Sequence, residues 1–296
     1  MTMETFDVAV VGAGPAGLTA ALYLARFRRK VVVIDDGCSR ARLIPTSHNI
    51  PAFPAGISGE AYLQRLHEQL APYSVEQKSG RVAAIQAMAH GFELQVDEAA
   101  ILARKVVLAT GIVDLGVERP NWTVAVARGA LRLCPVCDAY EVQGQNVCIV
   151  GSGAGAVRHA RFLRGYARAL TVCLQQSGTE LAEADQQWLV REGVEVIEAR
   201  HVEIEIDGDG QVTVFSDGLG RQFDCVYPML GCHPRHELAQ SLSVNPDAAG
   251  EIPTDRYQET EVSGLFAIGD VVSGLNQISV AVGQAAIAAC HINTQL

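Results

Sequence analysis

The stretch FDVAVVGAGPAGLTAALYLARFRRKVVVIDD, residues 6–36, indicates the fold class of this chain. Residues 6–11 and 30–36 are short apolar runs, and runs of this length next to turn residues are typical of buried strands. Residues 18–27 lie between them and have the length and composition of a helix. The stretch therefore predicts a βαβ unit of an α/β fold.

The glycines after the first strand have the spacing of a dinucleotide-binding turn. Gly12 permits the tight turn, Gly14 lets the backbone approach a pyrophosphate, and Gly17 lets the helix pack closely on the strand. The helix N-terminus supplies amide donors and a favourable dipole for phosphates. Asp35 ends the second strand, where a carboxylate can accept hydrogen bonds from ribose hydroxyls. The predicted cofactor contacts of this unit are Gly12, Gly14, Pro15, Ala16, Gly17 and Asp35.

The same pattern occurs again in the middle of the chain. Residues 146–150 form an apolar run, the turn GSGAGA follows at 151–156, and residues 157–166 and 169–174 read as a helix and a strand. Ala156 stands where the first turn has its third glycine, which is a tolerated variant. Two such units predict two domains, one inserted into the other or following it.

The last third of the chain contains a strand-like run that ends in Gly269-Asp270, before an alanine-rich helix predicted at 278–292. This arrangement favours a second contact to a bound flavin, in which Asp270 accepts from the ribityl chain. The alternative is an ordinary strand–turn–helix in which Asp270 only caps the turn.

Composition excludes several classes of function. The net charge of −10 argues against general nucleic-acid binding, which requires an excess of Lys and Arg. No apolar run approaches the roughly 18–20 residues that a membrane helix needs. Residues 1–6 lack the basic and apolar parts of a secretion signal, so we expect a cytoplasmic protein that does not bind membranes.

Cys134 and Cys137 form the one closely spaced pair among eight cysteines. In a reducing compartment such a pair is more often catalytic or metal-binding than structural. A zinc site would need further ligands, but no second CxxC exists, and His233 and His236 lie far along the chain. We therefore predict no metal, and we favour a redox-active pair over half a zinc site or a structural disulfide.

Thiol–disulfide exchange requires a thiolate, a nearby partner sulfur and a proton source for the leaving thiol. Two intervening residues bring the sulfurs of Cys134 and Cys137 within bonding range, and a helix N-terminus after the pair would lower a thiol pKa. Asp138 follows the pair directly and is placed to act as the general acid or base.

These motifs occur in the order GAGPAG, ATG at 109–111, CPVCD at 134–138, the second glycine turn and FAIGD at 266–270. In this order they resemble the low-molecular-weight thioredoxin reductase family over essentially the whole chain. The resemblance implies two Rossmann-like three-layer (ββα) dinucleotide-binding domains. The FAD domain would comprise residues 1–116 and 237–296, and the CxxC domain, residues 117–236, would be inserted into it. The resemblance also implies a homodimer, and a rotation that presents the dithiol to the flavin or to an external substrate such as thioredoxin.

The resemblance implies a role for each matching residue. Cys137 would be the thiol next to the flavin of FAD, Cys134 the exposed thiol that exchanges with the substrate, and Asn49 a neighbour of the flavin ring. Val82 would contact adenine through its backbone. The remaining implied cofactor contacts are Thr110, Gly111, Gly269, Asp270 and Gln277.

The chain departs from the family where NADPH-using members carry arginines after the second strand of the central unit. Here residues 174–178 read LQQSG, so no arginine is present to pair with a 2′-phosphate. The usual Arg-Gln beside the flavin reads Asn276-Gln277. We therefore expect NADPH to be a poor donor and ferredoxin or a second FAD to replace it.

The helix of the central unit carries arginines at helical spacing. Such a face could receive an acidic partner protein or the diphosphate of a second FAD, or it could be an ordinary solvated surface. The arginines are Arg158, Arg161, Arg164 and Arg168. The candidate residues of this second nucleotide or flavin site are Gly151, Gly153, Ala156 and Arg158.

Three functions remain open at this point. The first is a disulfide reductase that passes electrons from the flavin to thioredoxin or a similar protein. The second is a dithiol oxidase that passes electrons to oxygen, which Pro135 favours and Asp138 disfavours because such oxidases tend to have His after the motif. The third is a non-catalytic flavin-binding sensor.

Overall fold

The computed structural model describes residues 4–116, 120–175, 181–272 and 274–296. The described strands are β1 (Thr5–Val11), β2 (Val31–Asp35), β3 (Glu76–Ser79), β4 (Val82–Met88), β5 (Gly91–Val96), β6 (Ala99–Leu108), β7 (Ile112–Asp114), β8 (Asn146–Gly151), β9 (Ala169–Gln175), β10 (Glu195–Ala199), β11 (Val202–Ile206), β12 (Val212–Ser216), β13 (Leu219–Gln222), β14 (Cys225–Met229), β15 (Cys232–Pro234) and β16 (Leu265–Ala267). The described α-helices are α1 (Pro15–Arg26), α2 (Gly59–Leu70), α3 (Trp122–Ala127), α4 (Pro135–Asp138), α5 (Gly153–Leu163), α6 (Glu183–Arg191), α7 (Glu237–Gln240) and α8 (Ile278–Gln295). Single 3-10 turns lie at Arg40–Leu43, Ala139–Val142 and Gly269–Val271.

The first sheet has the strand order β3-β2-β1-β6-β5-β4. Its parallel part contains β1, β2, β3, β6 and β16, while β4 and β5 continue it in antiparallel order. The long strand β6 pairs with two strands along the same edge. Its residues 99–103 pair with β5, and its residues 106–108 pair with β16. The predicted α/β fold is thus confirmed for the first unit.

Side-chain alternation along β1 supplies both faces of this sheet. Val8 and Val10 pack on the side of α1 and α8, and Ala9 and Val11 pack on the opposite side. A strand buried on both faces needs a continuous apolar run, which is the pattern visible at residues 8–11.

The second unit is built around the parallel sheet β10-β9-β8-β14. Helices α5 and α6 contribute to the core on one face, and the antiparallel ribbon β11-β12-β13 packs on the other. This arrangement confirms the second Rossmann-like unit that the repeated glycine turn predicts.

A two-stranded ribbon marks the two crossings of the chain between these units. β7 pairs antiparallel with β15, so that Asp114 lies opposite Cys232, and the strands of the central sheet lie between these two positions in sequence. Arg40 of the first unit holds Asp114 through Nε and Nη2 at 2.7 and 2.9 Å. The predicted boundary at residues 116/117 adjoins residues 117–119, which lie outside the described residues, so the domain limits stay a prediction.

Both helices that follow a glycine turn begin earlier than predicted. α1 begins at Pro15 instead of residue 18, and α5 begins at Gly153 instead of residue 157. Glycine weakens a helix interior, and for this reason the sequence pattern placed the glycines before the helix. Pro15 occupies the first helical position, where its fixed φ fits and no backbone N–H is needed.

Replacing Gly17 by alanine is expected to lower the free energy of unfolding by about 3 kcal/mol. A Cβ at Gly17 would lie 1.9 Å from the backbone oxygen of Gly12, so α1 would have to move away from β1. Gly155→Ala in α5 is the matched control, because a Cβ there meets open space. The control should gain about 0.5–1 kcal/mol from helix propensity. Urea unfolding followed by circular dichroism measures both, and an equal effect of the two substitutions would contradict the close-packing role of Gly17.

Candidate functional site

A cavity of about 780 Å³ lies at the carboxyl end of the parallel strands of the first sheet. Ligands of open α/β sheets bind at this edge, and the volume is within the usual range for a small-molecule or cofactor site. The predicted residues that line the cavity are Gly12, Gly14, Pro15, Ala16, Asp35, Asn49, Val82, Thr110, Gly111, Cys134, Cys137, Asp138, Gly269, Asp270 and Gln277. The structure therefore brings the first glycine turn and the cysteine pair together in one cavity.

The first glycine turn forms a close-packed backbone cradle. Gly12 has φ of +106°, and a Cβ there would lie 2.4 Å from the backbone oxygen of Ala109. Gly14 is the N-cap of α1 and has no side-chain cap, so the helix N-terminus can offer its amides to a ligand. Gly17 was also predicted to contact the cofactor, but it is buried against Gly12 and does not line the cavity.

Asp35 closes the glycine turn from the end of β2. Its Oδ1 accepts a hydrogen bond from the backbone N–H of Ala13 at 2.8 Å, and its Oδ2 accepts from Gly37 at 2.9 Å. The carboxylate thus fixes the turn, and its remaining lone pairs are available to a ribose hydroxyl.

Cys134 and Cys137 are joined as a disulfide, and both are half-buried. The backbone N–H of Cys137 donates to the oxygen of Cys134 at 2.9 Å, which closes the turn between them. The helix after the pair, α4, has only four residues and passes into the 3-10 turn Ala139–Val142. So short a helix has a small dipole, and the expectation that a helix N-terminus lowers a thiol pKa here is weakened accordingly.

Gln277 contacts both sulfur atoms of the disulfide. Its Nε2 lies 3.5 Å from Cys134 Sγ and 3.4 Å from Cys137 Sγ. Its Oε1 accepts a hydrogen bond from Asn49 Nδ2 at 2.9 Å, and Asn49 Oδ1 accepts from Ser47 Oγ at 2.8 Å. The resemblance implied a cofactor contact for Gln277, and no sequence pattern pointed to the sulfurs.

Asp138 is held by two residues that sequence reasoning missed. Tyr227 Oη donates to Asp138 Oδ1 at 2.7 Å, and Arg132 Nη1 lies 3.1 Å from Asp138 Oδ2. Burial raises the pKa of Asp138 above its ordinary value, although the Tyr227 hydrogen bond and the Arg132 charge act against this rise. One signal for Tyr227 was present in the sequence, since a tyrosine in an apolar strand needs a partner for its hydroxyl.

The second glycine turn does not line this cavity. A Cβ on Gly151 would lie 3.0 Å from the backbone oxygen of Met229, Gly153 faces open space, Ala156 is buried and Arg158 is exposed. Gly151 therefore allows the close pairing of β8 with β14, and Ala156 packs α5 into the core of the central unit. The predicted ligand contacts of this turn stay a prediction.

The expectation of one basic face on this helix needs a correction. Arg161 forms an ion pair with Asp185 at 2.9 Å, and Arg164 Nε donates to the backbone oxygen of Glu192 at 2.8 Å. Arg168 lies beyond α5, and its Nε donates to Asn146 Oδ1 at 3.4 Å. Three of the four arginines are thus engaged within the central unit.

The prediction about the electron donor rests on residues 174–178. Of these, residues 176–178 lie outside the described residues.

Comparison with known proteins identifies the family of this chain. The family model described as pyridine nucleotide-disulphide oxidoreductase matches residues 6–285. A thioredoxin reductase of Peptoclostridium litorale is 28% identical over 303 aligned positions, which cover 97% of this chain and 95% of the relative. The thioredoxin reductase structure from Streptococcus pyogenes is 29% identical, covers 98% of both chains and has a TM-score of 0.89.

A further solved structure matches the chain with a lower TM-score. The thioredoxin reductase of Lactococcus lactis in its FR conformation is 28% identical and covers 98% of this chain and 100% of its own. Its TM-score is 0.63, lower than that of the Streptococcus pyogenes structure at similar identity and coverage. Within the described part of the chain, no helix is long and apolar enough to cross a bilayer.

The chain belongs to the pyridine nucleotide-disulphide oxidoreductase family, and it is a thioredoxin-reductase-like flavoprotein disulfide oxidoreductase.

Proposed function

We propose that this protein moves electrons between bound FAD, the Cys134–Cys137 pair and a disulfide of thioredoxin or a similar protein. The observation that carries the proposal is that the disulfide and the first glycine turn line one cavity. A disulfide that lines the cofactor cavity lies where electrons from a bound cofactor can reach it.

The residues of the cavity fit FAD. Gly12 lets the turn pack on the backbone of Ala109, and a Cβ at Gly14 would project toward Ser39, another residue that lines the cavity. The uncapped N-terminus of α1 offers its amides to a pyrophosphate at this position. Asp35 and Asp270 are placed to accept from hydroxyl groups, and burial raises the pKa of Asp270. When bound, FAD supplies a two-electron carrier beside the sulfurs.

The cysteines complete the electron transfer by exchange. Two electrons break the Cys134–Cys137 bond and leave two sulfurs that take up protons according to their pKa values. The Cys134 thiolate attacks one sulfur of the substrate disulfide, and the released substrate thiolate takes a proton from Asp138. The Cys137 thiolate then attacks Cys134 Sγ, which re-forms the disulfide and releases the second substrate sulfur as a thiolate that takes a proton from solvent.

An external protein can reach the pair only if the two units move apart, because both cysteines are half-buried against the cavity. The lower TM-score of the Lactococcus lactis FR conformation supports such a rearrangement, and the ribbon of β7 and β15 is a natural pivot because both chain crossings run through it. Homodimer formation and a cytoplasmic location, both expected from the sequence, stay predictions.

We infer that the donor is not NADPH, because the sequence LQQSG at 174–178 offers no cation for the 2′-phosphate. Anaerobic stopped-flow mixing with NADPH is expected to leave the flavin absorbance largely unchanged, whereas reduced ferredoxin should bleach it. Rapid and complete bleaching by NADPH would overturn this inference. A count of flavins after denaturation separates the donors, since two per protomer would indicate a second FAD and one would favour ferredoxin.

A dithiol oxidase is the second candidate, and Pro135 between the cysteines is the observation that favours it. Peroxide production from a supplied dithiol under air, at a rate above that of protein disulfide reduction, would favour the oxidase. A non-catalytic sensor would instead retain its cellular role when both cysteines are replaced by serine.

A further inference from the structure

The amide of Gln277 has one orientation that satisfies all of its neighbours. The sulfurs of a disulfide carry no hydrogen, so the group that faces them must be the Nε2 donor. The Oε1, which lies farther from Cys137 Sγ at 3.8 Å, accepts from Asn49, and Asn49 in turn accepts from the buried Ser47. Each hydrogen bond in this chain of three side chains fixes the direction of the next one.

Gln277 reaches the sulfurs from the other unit of the molecule. It is the N-cap residue of the 18-residue helix α8, yet its side chain makes no cap hydrogen bond to that helix. The side chain points across the cavity to a pair carried by the central unit, and this contact exists only while the two units are closed on each other.

The contact has a different strength in the two redox states. A neutral disulfide sulfur is a weak acceptor, whereas a thiolate accepts a charge-assisted hydrogen bond that is roughly twice as strong as a neutral one. An oriented N–H that lies between the two sulfurs therefore favours the reduced, ionised pair over the oxidised one.

We propose that Ser47, Asn49 and Gln277 form a clamp that orients the Gln277 N–H onto the cysteine pair and stabilises the thiolate produced when the disulfide is reduced. Gln277 touches the reacting sulfurs, and Ser47 and Asn49 position it. The clamp rests on the proposed function in one respect, namely that the pair cycles between disulfide and dithiol. It also ties the closed arrangement of the units to the redox state of the pair.

The test measures the thiolate directly. The reduced holoprotein is alkylated with iodoacetamide between pH 5 and 10, and the rates at Cys134 and Cys137 are followed by mass spectrometry. Gln277→Leu should raise the lower of the two apparent pKa values by about one unit, which slows alkylation roughly tenfold at pH values well below that pKa. Gln277→Glu should raise it further, because the amide donor becomes a carboxylate. Ser47→Ala should give a smaller rise through loss of orientation.

Gln187→Leu is the matched control, because Gln187 is exposed on α6 and bonds only Glu183 among the described contacts. Equal alkylation profiles for Gln277→Leu, Gln277→Glu and wild type would overturn the clamp. Circular dichroism and flavin content identify any variant that does not fold, and Ser47→Ala then decides the question. The proposed function is tested separately by anaerobic bleaching of wild-type flavin with dithiothreitol. Without that bleaching the proposed function fails, while the alkylation profiles still decide the clamp.

Discussion

Cys137→Ser is expected to slow the anaerobic reduction of the flavin by dithiothreitol by about a thousandfold or more. Electrons from a dithiol must pass through the Cys134–Cys137 pair, which lies in the flavin cavity. A serine hydroxyl at neutral pH is neither ionised nor able to form a sulfur–sulfur bond, so the two-electron step has no route. The flavin absorbance measured in a stopped-flow instrument gives the rate directly.

The single cysteine variants also separate the roles of the two sulfurs. If Cys134 is the sulfur that meets the substrate, Cys137→Ser should trap a stable mixed disulfide with a thioredoxin that keeps only one active-site cysteine, activated as its thionitrobenzoate disulfide. Thionitrobenzoate leaves, and neither protein then has a second thiol to resolve the bond. Cys134→Ser should trap far less. Cys290→Ser serves as the control, since Cys290 is an exposed free thiol on α8. Trapping by Cys134→Ser alone would reverse the assignment.

The parts of this site that follow from local sequence could be predicted. Gly12 and Gly14 follow a strand and precede a helix, and their backbone geometry is a local property of that turn. The CxxC spacing likewise brings Cys134 and Cys137 together without any help from the rest of the fold. The helix starts were wrong for the same local reason, because glycine reads as a helix breaker even where a turn needs it.

The partners of the reacting groups could not be predicted, because they come from distant parts of the chain. Gln277 reaches Cys137 across 140 positions of sequence, and Tyr227 reaches Asp138 across 89. The Gln277 contact depends on how the two units pack against each other, and the Tyr227 contact depends on how the central unit folds. One sequence carries no periodicity that reports either of them. The partners of the arginines on α5 could not be predicted for the same reason. Helical spacing placed the arginines together, but Asp185 and the backbone of Glu192 engage two of them inside the unit.

Asp138→Asn is expected to slow protein disulfide reduction by about a hundredfold or more, since a positioned general acid contributes roughly 10²–10⁴. Asparagine fills the same space and can still accept from Tyr227, so the loss should lie in proton transfer and not in folding. Asp185→Asn on α6 is the control, because it removes a surface carboxylate of the same unit without touching the pair. An unchanged rate in Asp138→Asn would show that another group donates the proton to the leaving substrate thiolate.

The dependence of the rate of protein disulfide reduction on pH tests how the neighbours of Asp138 shift its pKa. Burial raises its pKa, so the carboxyl keeps its proton to higher pH than a solvent-exposed aspartate and can donate it closer to neutrality. The rate should therefore fall as pH rises through this raised pKa, and Asp138→Asn should remove that limb. The Arg132 charge lowers the pKa of Asp138, so Arg132→Met should move the limb to higher pH, and Tyr227→Phe should move it in the same direction by removing a hydrogen bond.

The raised pKa of Asp138 also makes the free energy of unfolding depend on pH. The folded state binds the Asp138 proton more tightly than the unfolded chain, so the contribution of Asp138 to the free energy of unfolding is greatest at low pH. It falls as pH rises from the ordinary aspartate pKa through the raised one. Asp138→Asn should remove this slope in urea unfolding experiments, while Arg132→Met should steepen it, because an unpaired buried carboxylate costs more than a paired one. A limb that moves to lower pH in Arg132→Met, together with an unchanged stability slope, would show that the titrating group is not Asp138.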